Sequence, residues 1–343
     1  MFPSALSEER WQCEARWNHH DQSLPDSYAD VVTIALFLPP DFRTTEQWLA
    51  ALSTAMPGED VRLIGQLTKI DAVDIALVRG KDPGNIRALP NLGFVQCLWA
   101  GVEKLLADPL LPHHVPLARL IDPGMAEQMA TTAVAHVLDI HQGHGHYRAL
   151  QRAGQWAPAH TSSPATKTVG ILGLGALGQR AAEMLRPFGF KVIGWRASTT
   201  SISVGAGGIV TTPHLDDITA VADIILNLLP LTPSTAGILD HTFFSSLQPG
   251  TAFINVARGG HVVDRDLLGA LENGQVSRAI LDVFNVEPLP PGHPYWAHPH
   301  VTVTPHVAAE TDPSTAATVV AANVRAWRTG GLITGLVNRT RAY

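Results

Sequence analysis

Three observations predict an α/β protein built on parallel sheets flanked by helices. Apolar runs of strand length alternate with helical segments through most of the 343 residues. A G-x-G-x-x-G turn, made by Gly173, Gly175 and Gly178, follows one apolar run and opens a helical one. No internal repeat, low-complexity tract or charged tail interrupts the alternation.

The elements follow in order. Residues 1–29 have no clear period and receive no role. From residue 31 the pattern is strand, helix, strand: VVTIALFLPP, TEQWLAALSTAM, then VRLIGQL. DIALVRG and GFVQCLWAG are two further short strands. Asp122-Pro123-Gly124 breaks the chain, and residues 125–141 read as a long, mainly apolar helix. Its small residues, Ala126, Ala130, Ala133 and Ala135, allow close packing, either in the core or against a second subunit. After the loop Thr161-Ser162-Ser163-Pro164, KTVGILGLG is strand and turn, ALGQRAAEMLRPFG a helix, and FKVIGW a strand. ADIILNLLP, GTAFINVA, RAILDVF and HVTVTP add strands to what reads as a doubly wound sheet. Residues 311–327 form a closing helix rich in Ala and Val.

Composition excludes several classes. With 24 Lys and Arg against 30 Asp and Glu, the net charge of −6 offers no basic face for nucleic acid. No run is long and apolar enough to span a bilayer, and the acidic first residues lack the core of a signal peptide. Cys13 and Cys97 alone build neither a disulfide framework nor a cysteine metal site. A cytoplasmic location is the resulting expectation. His141, His144 and His146 are interrupted by Gly143 and Gly145 and read as a surface cluster, and no metal is expected.

The glycine turn points to a dinucleotide. Gly173 permits the tight turn, Gly175 lets the backbone approach a pyrophosphate, and Gly178 removes a side chain between helix and strand. Ala176 and Leu177 start the helix whose free amides face the phosphates. The next strand ends in Trp195, Arg196, Ala197, Ser198 and Thr199, with no carboxylate for the ribose hydroxyls. Arg196 can pair with a 2′-phosphate, and Ser198 or Thr199 can hydrogen-bond to it, which favours NADP(H) and leaves NAD possible. An exposed, solvated arginine is the alternative.

The segments GLGALG, NLLPLTPST, FINVARGGHVVDRDLLGAL, AILDVFNVEPLPPGHPYW and VTVTPHVAAET carry a further signal, because they stand in fixed order. With LWAGVEKLL and DPGMAEQM before them, the chain resembles the D-2-isomer-specific 2-hydroxyacid dehydrogenase family, most closely its glyoxylate/hydroxypyruvate reductase branch. The resemblance implies two Rossmann-like domains with parallel sheets. Residues 1–121, rejoined by 310–343, would bind substrate, and residues 122–309 the dinucleotide. It also implies reduction of short 2-keto acids to 2-hydroxy acids.

The resemblance further assigns roles. Arg258 would bind the substrate carboxylate, His306 would protonate the keto oxygen, and Glu287 would stabilise the His306 imidazolium. Trp99, Ala100, Gly101 and Val102 match the loop that holds the carboxylate. Pro230 and Thr235 fall on the adenosine side, Leu229 among the cofactor-binding residues, Val256 and Ala257 beside the cofactor, and Asp282 where a carboxylate receives the nicotinamide amide. Arg196 stands one position earlier than the family's Trp-Ser-Arg order places it, with Ala197 in the expected slot. The helix at 125–141 resembles the family's dimerisation helix, so a homodimer is expected. Two other readings stay open: a dehydrogenase of a larger D-2-hydroxy acid, and a dinucleotide-sensing member without catalysis.

Overall fold

The computed structural model describes residues 33–39, 42–79, 86–109, 111–197 and 199–340. The N-terminal extension with Cys13, the first two residues of VVTIALFLPP, Gly80 and Ser198 lie outside them.

Two sheets carry the described residues. The first holds β1 (Thr33–Phe37), β2 (Asp60–Leu63), β3 (Val73–Val78), β4 (Phe94–Cys97) and β5 (Leu117–Ala118), in the order β2-β1-β3-β4-β5. All its pairs are parallel. The second holds β6 (Thr168–Leu172), β7 (Lys191–Trp195), β8 (Ser203–Val204), β9 (Val210–Thr212), β10 (Ile224–Asn227), β11 (Thr251–Asn255), β12 (Val276–Leu281) and β13 (Val301–Val303). Its order is β13-β12-β11-β10-β6-β7-β9-β8, so the chain reverses direction across the sheet between β6 and β10. Ligands bind at such a switch point, outside the carboxyl ends of the strands. The edge pair β8/β9 is antiparallel, and its short, polar strands carry no apolar run that could have announced it.

Each sheet is apolar on both faces, as parallel strands require. On the second, Ala130, Ala133 and Val137 pack with Ala181, Ala182 and Leu185 over one face, while Phe243, Phe244, Leu267 and Leu271 cover the other. On the first, Trp48 and Leu52 share a core with Ala316, Val320 and Val324 of the helix Pro313–Thr329. The chain's end thus returns to the sheet of its beginning. Trp327 stacks on Phe94 at 5.5 Å, and Arg328 pairs with Glu59 at 2.9 Å and with Asp74.

Asp122-Pro123-Gly124 is a helix start, not a break: the helix runs Pro123–His141. Asp122 accepts the Gly124 amide at 3.0 Å, and Pro123 occupies the first turn, where its missing N–H costs nothing. The other Asp122 carboxylate oxygen accepts Thr315 Oγ1 at 2.8 Å. One buried carboxylate therefore ties together the two segments that cross between the sheets. Gly143, at φ 66°, turns the chain into a second helix, His144–Arg152. Among the described residues no helix is long and apolar enough to cross a membrane.

Candidate active site

The glycine turn sits at the carboxyl end of β6, the central strand. Gly173 has φ 97°, and a Cβ there would lie 2.7 Å from the Leu228 carbonyl oxygen. A Cβ on Gly178 would strike the Gly173 carbonyl. Gly175 precedes the helix Ala176–Leu185, whose start has no side-chain cap. These bare amides and the missing side chains form a cradle that fits a pyrophosphate. Trp195 gives that edge only backbone: its ring is buried in the core, and its indole N–H donates to the Pro213 carbonyl at 2.9 Å. Arg196 and Thr199 are partly exposed just beyond it, joined by the Thr199 amide donating to the Arg196 carbonyl at 3.0 Å.

Beside the turn, β10 and β11 end in a buried polar network. Asn227 Nδ2 donates to Asn255 Oδ1 at 3.0 Å, and Asn255 Oδ1 also accepts the Ala257 amide at 3.2 Å. His261 is fully buried, with Nε2 3.2 Å from the Pro230 carbonyl and Nδ1 3.1 Å from both Asn227 Nδ2 and the Arg258 carbonyl. Burial lowers its pKa. The neutral ring therefore donates from Nε2 to Pro230 and accepts from Asn227 at Nδ1. Thr235 Oγ1 donates to the same Pro230 carbonyl at 2.7 Å, and Leu229 N donates to Asn227 Oδ1 at 3.2 Å. Leu229, Pro230, Thr235, Val256 and Ala257 are thereby held as one rim.

Arg258 leaves this rim toward the first sheet. Its Nε donates to Glu103 Oε1 at 3.0 Å and Nη1 to the Ala257 carbonyl at 2.7 Å. A Cβ built on Gly101 would fall on Nη2, so the guanidinium fills the space that Gly101 vacates. The loop Trp99-Ala100-Gly101-Val102 rests on Cys97, whose sulfur accepts the Trp99 amide at 3.4 Å. Burial pushes that thiol up to about 12, so it stays protonated.

The third group follows β12 and β13. His306 Nδ1 lies 2.8 Å from Glu287 Oε2; since a carboxylate only accepts, Nδ1 carries the hydrogen and Nε2 faces outward. Glu287 Oε1 accepts the Phe284 amide at 3.0 Å. His306 has φ 56°, and Asp282 holds the loop in that shape. The Asp282 carboxylate is 1% exposed and accepts Thr304 Oγ1 at 2.6 Å, Val307 N at 2.9 Å and Ala308 N at 3.0 Å. Its backbone carbonyl accepts His306 N at 2.8 Å. Asp282 is thus engaged by its own chain at the position where the resemblance places a nicotinamide contact.

The structure therefore brings Arg258 to the Trp99–Val102 loop and Glu287 to His306, on the carboxyl side of the strands that carry the glycine turn. Glu103, Asn227, Asn255, His261 and Thr304 were missed from sequence. Only the two asparagines closing consecutive strands, in IILN and AFIN, left a local trace.

Residues 134–308 match the NAD binding domain of the D-isomer specific 2-hydroxyacid dehydrogenases. The glyoxylate/hydroxypyruvate reductase A of Serratia proteamaculans is 40% identical over 316 residues, spanning 90% of this chain and 99% of the relative. The D-isomer specific 2-hydroxyacid dehydrogenase of Xanthobacter autotrophicus Py2, solved with NADPH and MES, superposes with a TM-score of 0.85 at 36% identity. That match covers 92% of this chain and all of the other. The NADPH-dependent glyoxylate/hydroxypyruvate reductase of Sinorhizobium meliloti, solved with NADP and sulfate, gives 0.81 at 34% identity, over 91% and 100% of the two chains. The chain belongs to the D-isomer specific 2-hydroxyacid dehydrogenase family.

Proposed function

We propose that this protein is an NADPH-preferring reductase that converts glyoxylate, hydroxypyruvate and similar short 2-keto acids to 2-hydroxy acids. The observation that carries this reading is the pairing of two contacts at one edge: Arg258 against Gly101, and His306 against Glu287. Both the Serratia and the Sinorhizobium relatives bear the reductase name, and the cradle at Gly173 to Gly178 fits the dinucleotide.

In this mechanism the first sheet, with residues 310–343, binds substrate, and residues 122–309 bind coenzyme. Glu103 takes Nε of Arg258 and Ala257 takes one Nη1 hydrogen, which leaves the outer Nη1 and Nη2 hydrogens for the substrate carboxylate. The Ala100 to Val102 amides hold the same carboxylate. His306 Nε2 donates its proton to the keto oxygen, and Glu287 stabilises the imidazolium before that transfer. When bound, NADPH supplies the hydride. Arg196 pairs with the 2′-phosphate, and the partly exposed Thr199 completes that pocket.

Steady-state assays with glyoxylate and hydroxypyruvate, using NADPH and NADH in turn, test the reading. Turnover with both acids and higher kcat/KM with NADPH are expected. No turnover of any short keto acid sinks the reductase assignment, and a preference for NADH sinks the coenzyme assignment. A homodimer through the helix Pro123–His141 belongs to the same reading: Thr131 and Ala135 are exposed on its outer face. Sedimentation at monomeric mass would exclude it.

A further inference from the structure

Among the arginines at the candidate site, Arg79 stands apart. It follows β3 directly, beside the Trp99 loop, since the Val78 carbonyl accepts the Leu98 amide at 2.8 Å. Its guanidinium lies 4.6 Å from the Phe42 ring centroid and 5.7 Å from that of Trp99. Trp99 in turn leans on Phe42 at 6.2 Å and on buried Trp48 at 6.5 Å. Segments at the carboxyl ends of β1, β3 and β4 therefore converge on one cation walled by aromatic faces.

Among the described residues this cation has no acidic partner. Arg43 pairs with Glu310, Arg62 with Asp60, Arg258 with Glu103 and Arg328 with Glu59. Among the described residues no carboxylate or carbonyl engages Arg79. Aromatic faces attract the guanidinium through their π-systems, yet they leave its in-plane N–H groups unspent. A partly exposed cation in that state, at the ligand-binding end of a parallel sheet, is a receptor for an anion.

Its place defines which anion. Arg79 touches the Trp99 ring, and Arg258 lies against Gly101, two residues further along the same loop. The backbone from Trp99 to Gly101 spans at most about 7 Å, so both cations face one short loop, an arrangement that a diacid, with a carboxylate at each end, can use. A monocarboxylate such as glyoxylate uses one cation only. We propose that Arg79 binds the distal carboxylate of short 2-keto diacids, and that these are substrates alongside the monoacids. The inference rests on the cleft being the 2-keto acid site described above. The reaction is unchanged: hydride from NADPH reaches C2, and His306 gives the keto oxygen its proton. Arg79 sets specificity and touches no reacting atom.

The test is a substrate panel on the full-length enzyme with saturating NADPH: glyoxylate, pyruvate, oxaloacetate and 2-oxoglutarate, for wild type, Arg79→Lys and Arg79→Gln. Wild type is expected to reduce at least one diacid more efficiently than pyruvate. Arg79→Gln should lower diacid kcat/KM about 10- to 100-fold more than glyoxylate kcat/KM, chiefly through KM. Arg79→Lys should fall between, because it keeps the charge and loses the planar fork. Calorimetric titration with succinate gives a readout independent of turnover, with at least about tenfold weaker binding expected in Arg79→Gln. Glyoxylate turnover with rejection of both diacids overturns the inference, as does equal loss on diacid and monoacid. If no keto acid turns over, the reductase reading fails; succinate binding that depends on Arg79 would still support the anion site, and binding that does not would remove it.

Discussion

The carboxyl edges of the two sheets are built from different materials. The second sheet's edge is a wired polar lattice: Asp282 alone accepts three hydrogen bonds, and Asn227, Asn255 and His261 interlock behind Arg258. The first sheet's edge is aromatic, with Phe42 and Trp99 against Arg79 and Trp48 behind Trp99. Hydrogen-bond networks fix atoms in place, because each displaced buried partner costs about 1–3 kcal/mol. Aromatic walls constrain shape and polarity while demanding less direction. On the proposed mechanism, rigidity thus lies where a proton must move along a defined line. On the same proposal, adaptability lies where different substrates must be told apart.

Four experiments would break or sharpen that contrast. The largest effect belongs to His306→Asn, since asparagine tolerates φ 56° and keeps the backbone intact. Its kcat should fall about 10²–10⁴-fold, measured by NADPH oxidation, and a wild-type rate would remove His306 from the chemistry. Asp282→Asn comes next. Replacing an acceptor with an NH₂ facing backbone amides should cost about 1–3 kcal/mol in denaturant unfolding and lower kcat as the His306 loop loosens. Unchanged stability would mean that the three hydrogen bonds do not hold the loop. Glu103→Ala frees Arg258 Nε, and kcat/KM for glyoxylate should drop roughly tenfold as the guanidinium loses its orientation. A gain in affinity would instead make Glu103 a competitor of the substrate carboxylate.

The smallest effect concerns acid stability. Burial holds His261 below the usual histidine range, so the unfolded chain takes up its proton first as pH falls. Its contribution is complete above about pH 6.5 and declines below that value. Burial lowers His136, His141 and His298 in the same direction, so His261→Gln should make the decline in Tm between about pH 6.5 and 5 shallower without abolishing it. An identical acid slope in the variant would place the effect in the other three histidines.

What could be read from sequence follows how locally each feature is written. The glycine turn is legible because its signature is local: three glycines within six residues, a φ of 97° at Gly173 and the close approach of Gly178 to the Gly173 carbonyl. Arg258, Glu287 and His306 came from ordered family motifs, and nothing in spacing alone could show Glu287 reaching back across 19 residues to His306. Glu103 meets Arg258 across 155 residues and His261 meets Asn227 across 34, so no window on the chain displays either pair. Asp122-Pro123-Gly124 misled because Asp and Pro serve turns and helix starts alike, and only the capping bond from Gly124 decides between them. The strand end at Trp195 was legible; the burial of its ring, with the indole N–H on the Pro213 carbonyl, was not.

The crowding around Gly173 has a consequence for redesign. With the Leu228 backbone closing off any side chain at Gly173, the phosphate turn offers no room for gradual change. Arg196 and Thr199 stand at the partly exposed margin of the same sheet, away from the packed core. If Arg196 holds the 2′-phosphate as proposed, a coenzyme switch is an edit at this margin, and libraries aimed at it belong at Arg196 and Thr199 with the turn left untouched.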